Sequence, residues 1–439
     1  MNNNRKAPET LTFSDIEISE TRDTFSLNFL IDKKKIRRTF TTSIPIKHVP
    51  LKHIKNIIFH LGLFLLMDYD QQLVPKKIVI KAGKLNQDQK EFYIKVRNLY
   101  ARQHLFEKRA PLDILTNEVE SSGEKFTCSR EELNKKKIIA SFGGGKESML
   151  FKYLFERKKI QPLWFIRTRE IFKKTLNSIA TASDLGEYIS VHDGDDLSQY
   201  KNTGLNEPQY TRTRTVITVY VICMLLFALE RKYGNICLGN EKSATDPYCV
   251  WDGKIVNHQF DKAAGYRKIL NDYLRKYVVS EINLFSIFEG VYEYKIAQMI
   301  KKFKAKDFYN MTSCNECTDK MKWCHKCSKC AWTFAILSYA FGQKEATKIV
   351  GKNLFDDVNI YLEILNPNLR KPFDCLGERP EVWLVLHNCL QAGQRGKVLQ
   401  FFKKEYLPDF ERYLDIYREK YNKEYPNPAL PKILQDIFI

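Results

Sequence analysis

The sequence predicts an α/β protein: a doubly wound parallel sheet, preceded by an N-terminal α+β unit and followed by a helical region carrying a four-cysteine site. Three observations carry that expectation. From Lys135 onward short apolar runs alternate with helical runs. A glycine-rich turn, Gly143 to Gly145, separates the first such strand from its helix. Cysteines crowd between residues 313 and 330. A chain of 439 residues is too long for one typical domain. The expected divisions are 1–130 (α+β), 131–310 (ligand-binding α/β) and 311–439 (metal-binding and helical).

In the first unit, alternation in Phe13–Ser19, Phe25–Ile31 and Lys35–Ile44 predicts strands. Pro50 opens a helical pattern that runs through Asp68. Lys77–Ile80 reads as a strand and Asp88–Phe106 as a helix, and the stretch Asn117–Lys125 reads as a linker. No catalytic motif stands out here.

In the second unit the strands are Lys137–Ser141, Pro162–Ile166, Tyr188–Val191 and Ile236–Leu238. Met149–Phe155 is helical. Strand, glycine turn and helix N-terminus together form an anion site. Glycines let backbone N–H groups approach an oxyanion, and the helix dipole favours negative charge there. Lys146 adds positive charge and Ser148 a hydroxyl. A Walker A loop is excluded, because Glu147 follows Lys146 and Ala140 stands where that motif has its upstream glycine.

Ligands of such sheets lie beyond the C-terminal strand ends. Those ends carry the glycine loop, Arg167-Thr168-Arg169, the acidic run His192 to Asp196, and Gly239 to Ser243. Arg212 and Arg214 either reach a phosphate or decorate an exposed turn. Asn257, His258, Gln259, Asp261 and Lys262 form a dense polar cluster, in which His258 is suited to proton transfer. Cys324, Cys327 and Cys330 form a CxxCxxC run, with Cys314 and Cys317 upstream. Cys314, Cys324, Cys327 and Cys330 are the expected ligands of a closed structural zinc site, with Cys317 spare and an iron–sulfur cluster the alternative.

Composition sets further bounds. The net charge is +19, from 71 Lys and Arg against 52 Asp and Glu. It suits an anionic partner, although the lysines are scattered and most read as solvated surface. MNNNRKAPET lacks the apolar core of a signal peptide. The apolar runs Ile57–Met67 and Val216–Leu229 are too short to span a membrane and read as buried helices. A cytoplasmic protein with no membrane partner is expected.

Two resemblances sharpen the expectation. Gly143 to Ser148 is similar to the pyrophosphate loop SGGxDS of the N-type ATP pyrophosphatases, with Gly143 at the Ser position and Glu147 at the Asp position. SFGGGKES, GNEKSA, VNHQF, SCN, WCHKCSKC and KPFDCLG occur in an order that resembles the UDP-N-acetyl-muramoyl-L-alanyl-L-glutamate epimerases.

That resemblance implies a sheet of the pyrophosphate-loop ATPase type. It also implies inversion of a terminal L-glutamate on a UDP-linked muramoyl dipeptide, with ATP and Mg2+. Ser141, Gly143, Gly144, Gly145, Lys146, Glu147 and Ser148 would hold the phosphates and metal. Asn240, Glu241 and Ser243 would stand at the adenylation centre. His258 would move the proton, with Lys262 or Cys249 as its opposite-face partner. A nucleobase- or tRNA-modifying enzyme similar to 7-cyano-7-deazaguanine synthase is the alternative reading, with nucleic acid as partner. A binding module that has lost turnover is the third.

Overall fold

The computed structural model describes residues 7–194, 197–200, 216–372 and 374–438. Asp195, Asp196, Arg212 and Arg214 lie outside the described residues. The chain opens with an antiparallel meander of β1 (Thr10–Ile18), β2 (Thr24–Ile31) and β3 (Lys34–Thr42). Helix α1 (Leu51–Leu73) is buried almost all round, as its apolar run predicts. Strand β4 (Lys77–Ile80) pairs parallel with β1. Helix α2 (Gln87–Lys108) starts at a capping box between Asn86 and Gln89. The expected linker supplies a short strand, β5 (Val119–Ser121), parallel to β4. Three residues are too few to display a period of two, so pairing rather than pattern defines this strand.

Next come β6 (Asn134–Ser141), α3 (Lys146–Arg157), β7 (Leu163–Arg169), α4 (Lys173–Ala182), β8 (Tyr188–Gly194), α5 (Val216–Glu230) and β9 (Tyr233–Leu238). A small hairpin, β10 (Cys249–Trp251) and β11 (Lys254–Val256), stands off the sheet. Helix α6 (Ala264–Tyr277) leads to β12 (Asn283–Ser286), a strand the sequence pattern does not announce. The ten-stranded sheet runs β12-β9-β6-β7-β8-β3-β2-β1-β4-β5 and is mostly parallel. It is continuous across residue 130, because β3 lies antiparallel against β8 from Thr39↔Gly194 to Thr42↔Val191.

Charge stitches that join. Arg38 of β3 binds Asp193 of β8 at 2.7 Å, and Arg167 of β7 takes the other carboxylate oxygen; all three are buried. Burial pushes the Asp193 carboxyl up, but the guanidinium groups of Arg38 and Arg167 outweigh it and hold it well below the usual range.

Strand residues alternate between two cores, one on each face. Ile139, Phe165, Ile189 and Ile236 pack with α1, α5 and α6. Ile138, Ala140, Trp164, Ile166 and Cys237 pack with α3, α4 and the C-terminal helices. Those are α7 (Glu293–Ile300), α8 (Ser328–Phe341), α9 (Gln343–Val350), α10 (Leu362–Leu365), α11 (Arg379–Gln391), α12 (Lys397–Glu405), α13 (Leu407–Glu411) and α14 (Leu414–Asn422). The tail returns to cover edge strand β12. Tyr425 N–H donates to Gly290 at 2.8 Å, and Asn427 Nδ2 to the Ser286 carbonyl at 2.8 Å. Among the described residues no helix is long and apolar enough to cross a membrane.

Candidate active site

Counted from β6, the parallel strands β6, β7, β8, β9 and β12 stand in the order 3-2-1-4-5. The order reverses between β6 and β9, where ligands of such sheets bind. A cleft of about 650 Å³ opens there. Ser141, Gly143, Gly145, Glu147 and Ser148 line one wall; Asn240, Glu241, His258, Asp261 and Lys262 line another.

The glycine loop is built for a close backbone turn. Gly144 has φ +73°, and a Cβ there would meet Leu176 Cδ1 at 3.1 Å. Gly143 N–H donates to Ser148 Oγ at 3.0 Å, and Gly145 caps α3. The loop is braced from behind by the cysteine segment. Thr312 N–H donates to the Gly144 carbonyl at 3.0 Å, and Lys146 N–H to Ser313 Oγ at 3.2 Å.

Lys146 differs from expectation. Its ammonium is fully buried, pairs with Glu147, and binds Glu293 at 2.6 Å. It does not line the cleft, and its charge is taken up by Glu147 and by a buried carboxylate from α7. Burial alone would lower the Lys146 ammonium; Glu147 and Glu293 outweigh it and raise it. The cation facing the cleft beside the loop is Lys329 of α8, anchored by its bond to the Cys375 carbonyl. Burial pushes the Glu147 carboxyl up, but Lys146 and Lys329 hold it down at about 2. Glu147 therefore keeps its negative charge next to the loop.

On the second wall Glu241 is 4% exposed, and its carboxylate has no hydrogen-bond partner among the described residues. Burial pushes it up to about 7, with Lys262 opposing and Glu293 adding. Ser243 is a correction. It is buried behind the cleft, where its hydroxyl donates to Glu381 at 2.9 Å and accepts the Glu293 N–H at 3.1 Å. It orders the helix starts rather than facing a ligand.

His258 faces the cleft, with Nδ1 3.1 Å from Gln103 Oε1 of α2. The N-terminal part thus contributes to the wall, with Gln72, His104 and Glu107 beside Gln103. Burial pushes Asp261 up to about 7. Burial alone would lower Lys262; the neighbouring Cys375 and Glu241 outweigh that and raise it. Cys249 is the second correction. It lies on the hairpin strand β10 and is not among the residues that line the cleft.

The thiols of Cys314, Cys324, Cys327 and Cys330 lie within 4.8 Å of one another, a cluster able to hold a metal ion. Cys324 and Cys330 sulfurs are 3.8 Å apart and Cys327 and Cys330 sulfurs 3.5 Å. Cys317 stands outside the cluster and lines the cleft. The sequence reading missed Lys329, Asp374 and Cys375. The KPFDCLG block contains two of them, but only the fold brings it to the cleft.

Fold and site together define a doubly wound α/β protein with a glycine-rich loop at the switch point and a four-cysteine cluster against it. The chain belongs to the MurL family: the MurL N-terminal domain matches residues 2–287 and the MurL C-terminal domain residues 310–407.

Three curated relatives are named UDP-N-acetyl-alpha-D-muramoyl-L-alanyl-L-glutamate epimerase. The one from Salinispora tropica is 26% identical over 273 residues, 60% of this chain and 58% of the relative. The one from Micromonospora sp. is 30% identical over 166 residues, 36% of this chain and 37% of the relative. The one from Xanthomonas oryzae pv. oryzae is 27% identical over 175 residues, 38% of this chain and 39% of the relative. The matched stretch therefore spans just under three fifths of the Salinispora relative's length. No solved structure gives a significant match.

Proposed function

We propose that this protein is an ATP-dependent, AMP-forming epimerase. It inverts the terminal L-glutamate of UDP-N-acetylmuramoyl-L-alanyl-L-glutamate. The observation that carries this reading is one cleft lined on one side by the glycine loop and on the other by Glu241, His258 and Lys262. A phosphate site beside acid–base groups suits a reaction that activates a carboxylate and then moves the proton next to it. Removing an α-proton beside a carboxylate would make a dianion. Adenylation first converts the carboxylate to a mixed anhydride whose acyl carbonyl carries no charge, which acidifies that proton. His258 takes part in the proton transfer, and water then releases AMP.

The backbone N–H groups of Gly143, Gly144 and Gly145 and the hydroxyl of Ser148 hold the phosphates. Lys329 adds the positive charge that Lys146 spends on Glu293. Glu147, ionised and carboxylate-bearing, fits Mg2+, which would neutralise phosphate charge. Asn240 and Glu241 flank the reacting carboxylate. The thiol spacings of 3.8 and 3.5 Å fit zinc, since Zn–S bonds of about 2.3 Å in a tetrahedron put sulfurs about 3.8 Å apart. Zinc there supports the fold behind the glycine loop. Incubation with the nucleotide-dipeptide, ATP and Mg2+ tests the reading through AMP release and D-glutamyl product. AMP release only with a deazaguanine precursor or tRNA would favour the nucleobase-modifying alternative.

A further inference from the structure

Inversion needs a base on one face of the α-carbon and an acid on the other. His258 supplies one of them, while Cys249, on the β10 hairpin, does not line the cleft. The cleft holds another thiol. Cys375 lines it from the loop before α11 and is half-buried. It shares the cleft with Lys262, Glu241 and Asp261, and its thiol is among the groups that raise the Lys262 ammonium.

The Cys375 loop is held in place on both sides. Lys329 bonds the Cys375 carbonyl, Ser328 Oγ bonds Asp374, and Asn315 Nδ2 donates to Asp374 Oδ1 at 2.6 Å. Such second contacts fix a reacting group in position. The cleft also contains Glu241, more than nine-tenths buried, lining the cavity with no hydrogen-bond partner among the described residues. Its charge neighbours include Glu147 and Glu293, on the glycine-loop side. Glu241 therefore belongs with the activated carboxyl, and Lys262 stays a cation. Of the other cleft groups near Lys262, Asp261 accepts the Ile217 N–H at 3.1 Å and so holds the start of α5, which leaves the thiol to take a carbon-bound proton.

We propose that Cys375 is the second proton-transfer residue, acting on the face of the glutamyl α-carbon opposite His258, with Lys262 as its counter-charge. The proposal rests on the epimerase reading above. In the step, the Cys375 thiolate forms an S–H bond as the α C–H bond breaks. The electron pair moves to the carbonyl oxygen of the mixed anhydride, giving an enolate. Protonated His258 then gives up its proton to form the new C–H bond on the other face, and the carbonyl re-forms. Starting from the other epimer, the two residues exchange roles. Solvent resets both protonation states.

The test uses the full-length enzyme in heavy water with ATP, Mg2+ and each epimer of the nucleotide-dipeptide separately. Cys375→Ala and Cys375→Ser are compared with His258→Asn. Zinc content and circular dichroism establish that each variant is folded.

Both Cys375 variants are expected to form AMP within about tenfold of wild type while inversion falls ~100-fold or more. They should place deuterium at the α-carbon of one epimer only, with retention. His258→Asn should do so with the other epimer. That reciprocal pattern is not produced by a merely structural role. Inversion by either folded Cys375 variant near the wild-type rate would overturn the proposal, as would loss of exchange from both epimers together with AMP formation. If the wild type itself makes neither AMP nor inverted product, the epimerase reading fails instead.

Discussion

The N–H of Thr312 donates to the carbonyl of Gly144 at 3.0 Å, so the segment carrying the cysteine cluster is bonded to the loop that turns at the sheet's switch point. Cys314 lies two residues further on, and its N–H donates to Thr312 Oγ1 at 3.3 Å. The cysteine cluster and the glycine loop are therefore mechanically joined. Purified protein should carry about one zinc per chain. Cys327→Ala should be insoluble or unfolded, because metal binding is coupled to folding. Well-folded protein with neither zinc nor iron by metal analysis would contradict this.

The loop itself is tested from the other side. Gly144→Val forces a branched side chain onto φ +73° and against Leu176 and Ile179. AMP formation should fall ~100-fold or more, as when preorganised oxyanion donors are lost, while zinc stays bound. Ser148→Ala removes the acceptor of the Gly143 N–H, worth about 1 kcal/mol. Its AMP formation should fall about tenfold. Undiminished ATP turnover in both variants would make the loop a plain turn.

A pH dependence follows from Glu241. Its ordinary value is 4.5, and burial raises it to about 7 in the fold. Between those values the folded protein binds more protons than the unfolded chain. Stability present below pH 4.5 is therefore lost as pH rises through about 7. Thermal unfolding without ligand should show that fall. Glu241→Gln should flatten it, by on the order of 1–3 kcal/mol. An unchanged slope in the variant would mean that Glu241 is ionised throughout.

Much of this arrangement is legible along the chain because its signals are local. Strand Lys77–Ile80 and the helix after Pro50 follow from period and punctuation. The glycine loop and the four cysteines follow from close spacing. What the sequence hides depends on distant partners. Lys146 reads as a phosphate cation until Glu293, from another helix, claims it in the interior. Lys329 reads as a spacer between cysteines, yet α8 turns it into the cleft. Ser243 looks like part of a ligand loop, but Glu381 lies 138 residues away in sequence and takes its hydroxyl. Strand β12 is four residues long and is defined by its pairing with β9.

The most direct measurement is the reaction in heavy water. UDP-N-acetylmuramoyl-L-alanyl-L-glutamate, ATP and Mg2+ are incubated with the wild-type protein. AMP, pyrophosphate and the isotopic content of the glutamyl α-carbon are then read together. The account predicts AMP and pyrophosphate release, D-glutamyl product, and one deuterium at that carbon, with no inversion and no deuterium uptake when ATP is omitted. Inversion without ATP, or AMP release with the α-proton left in place, would contradict it.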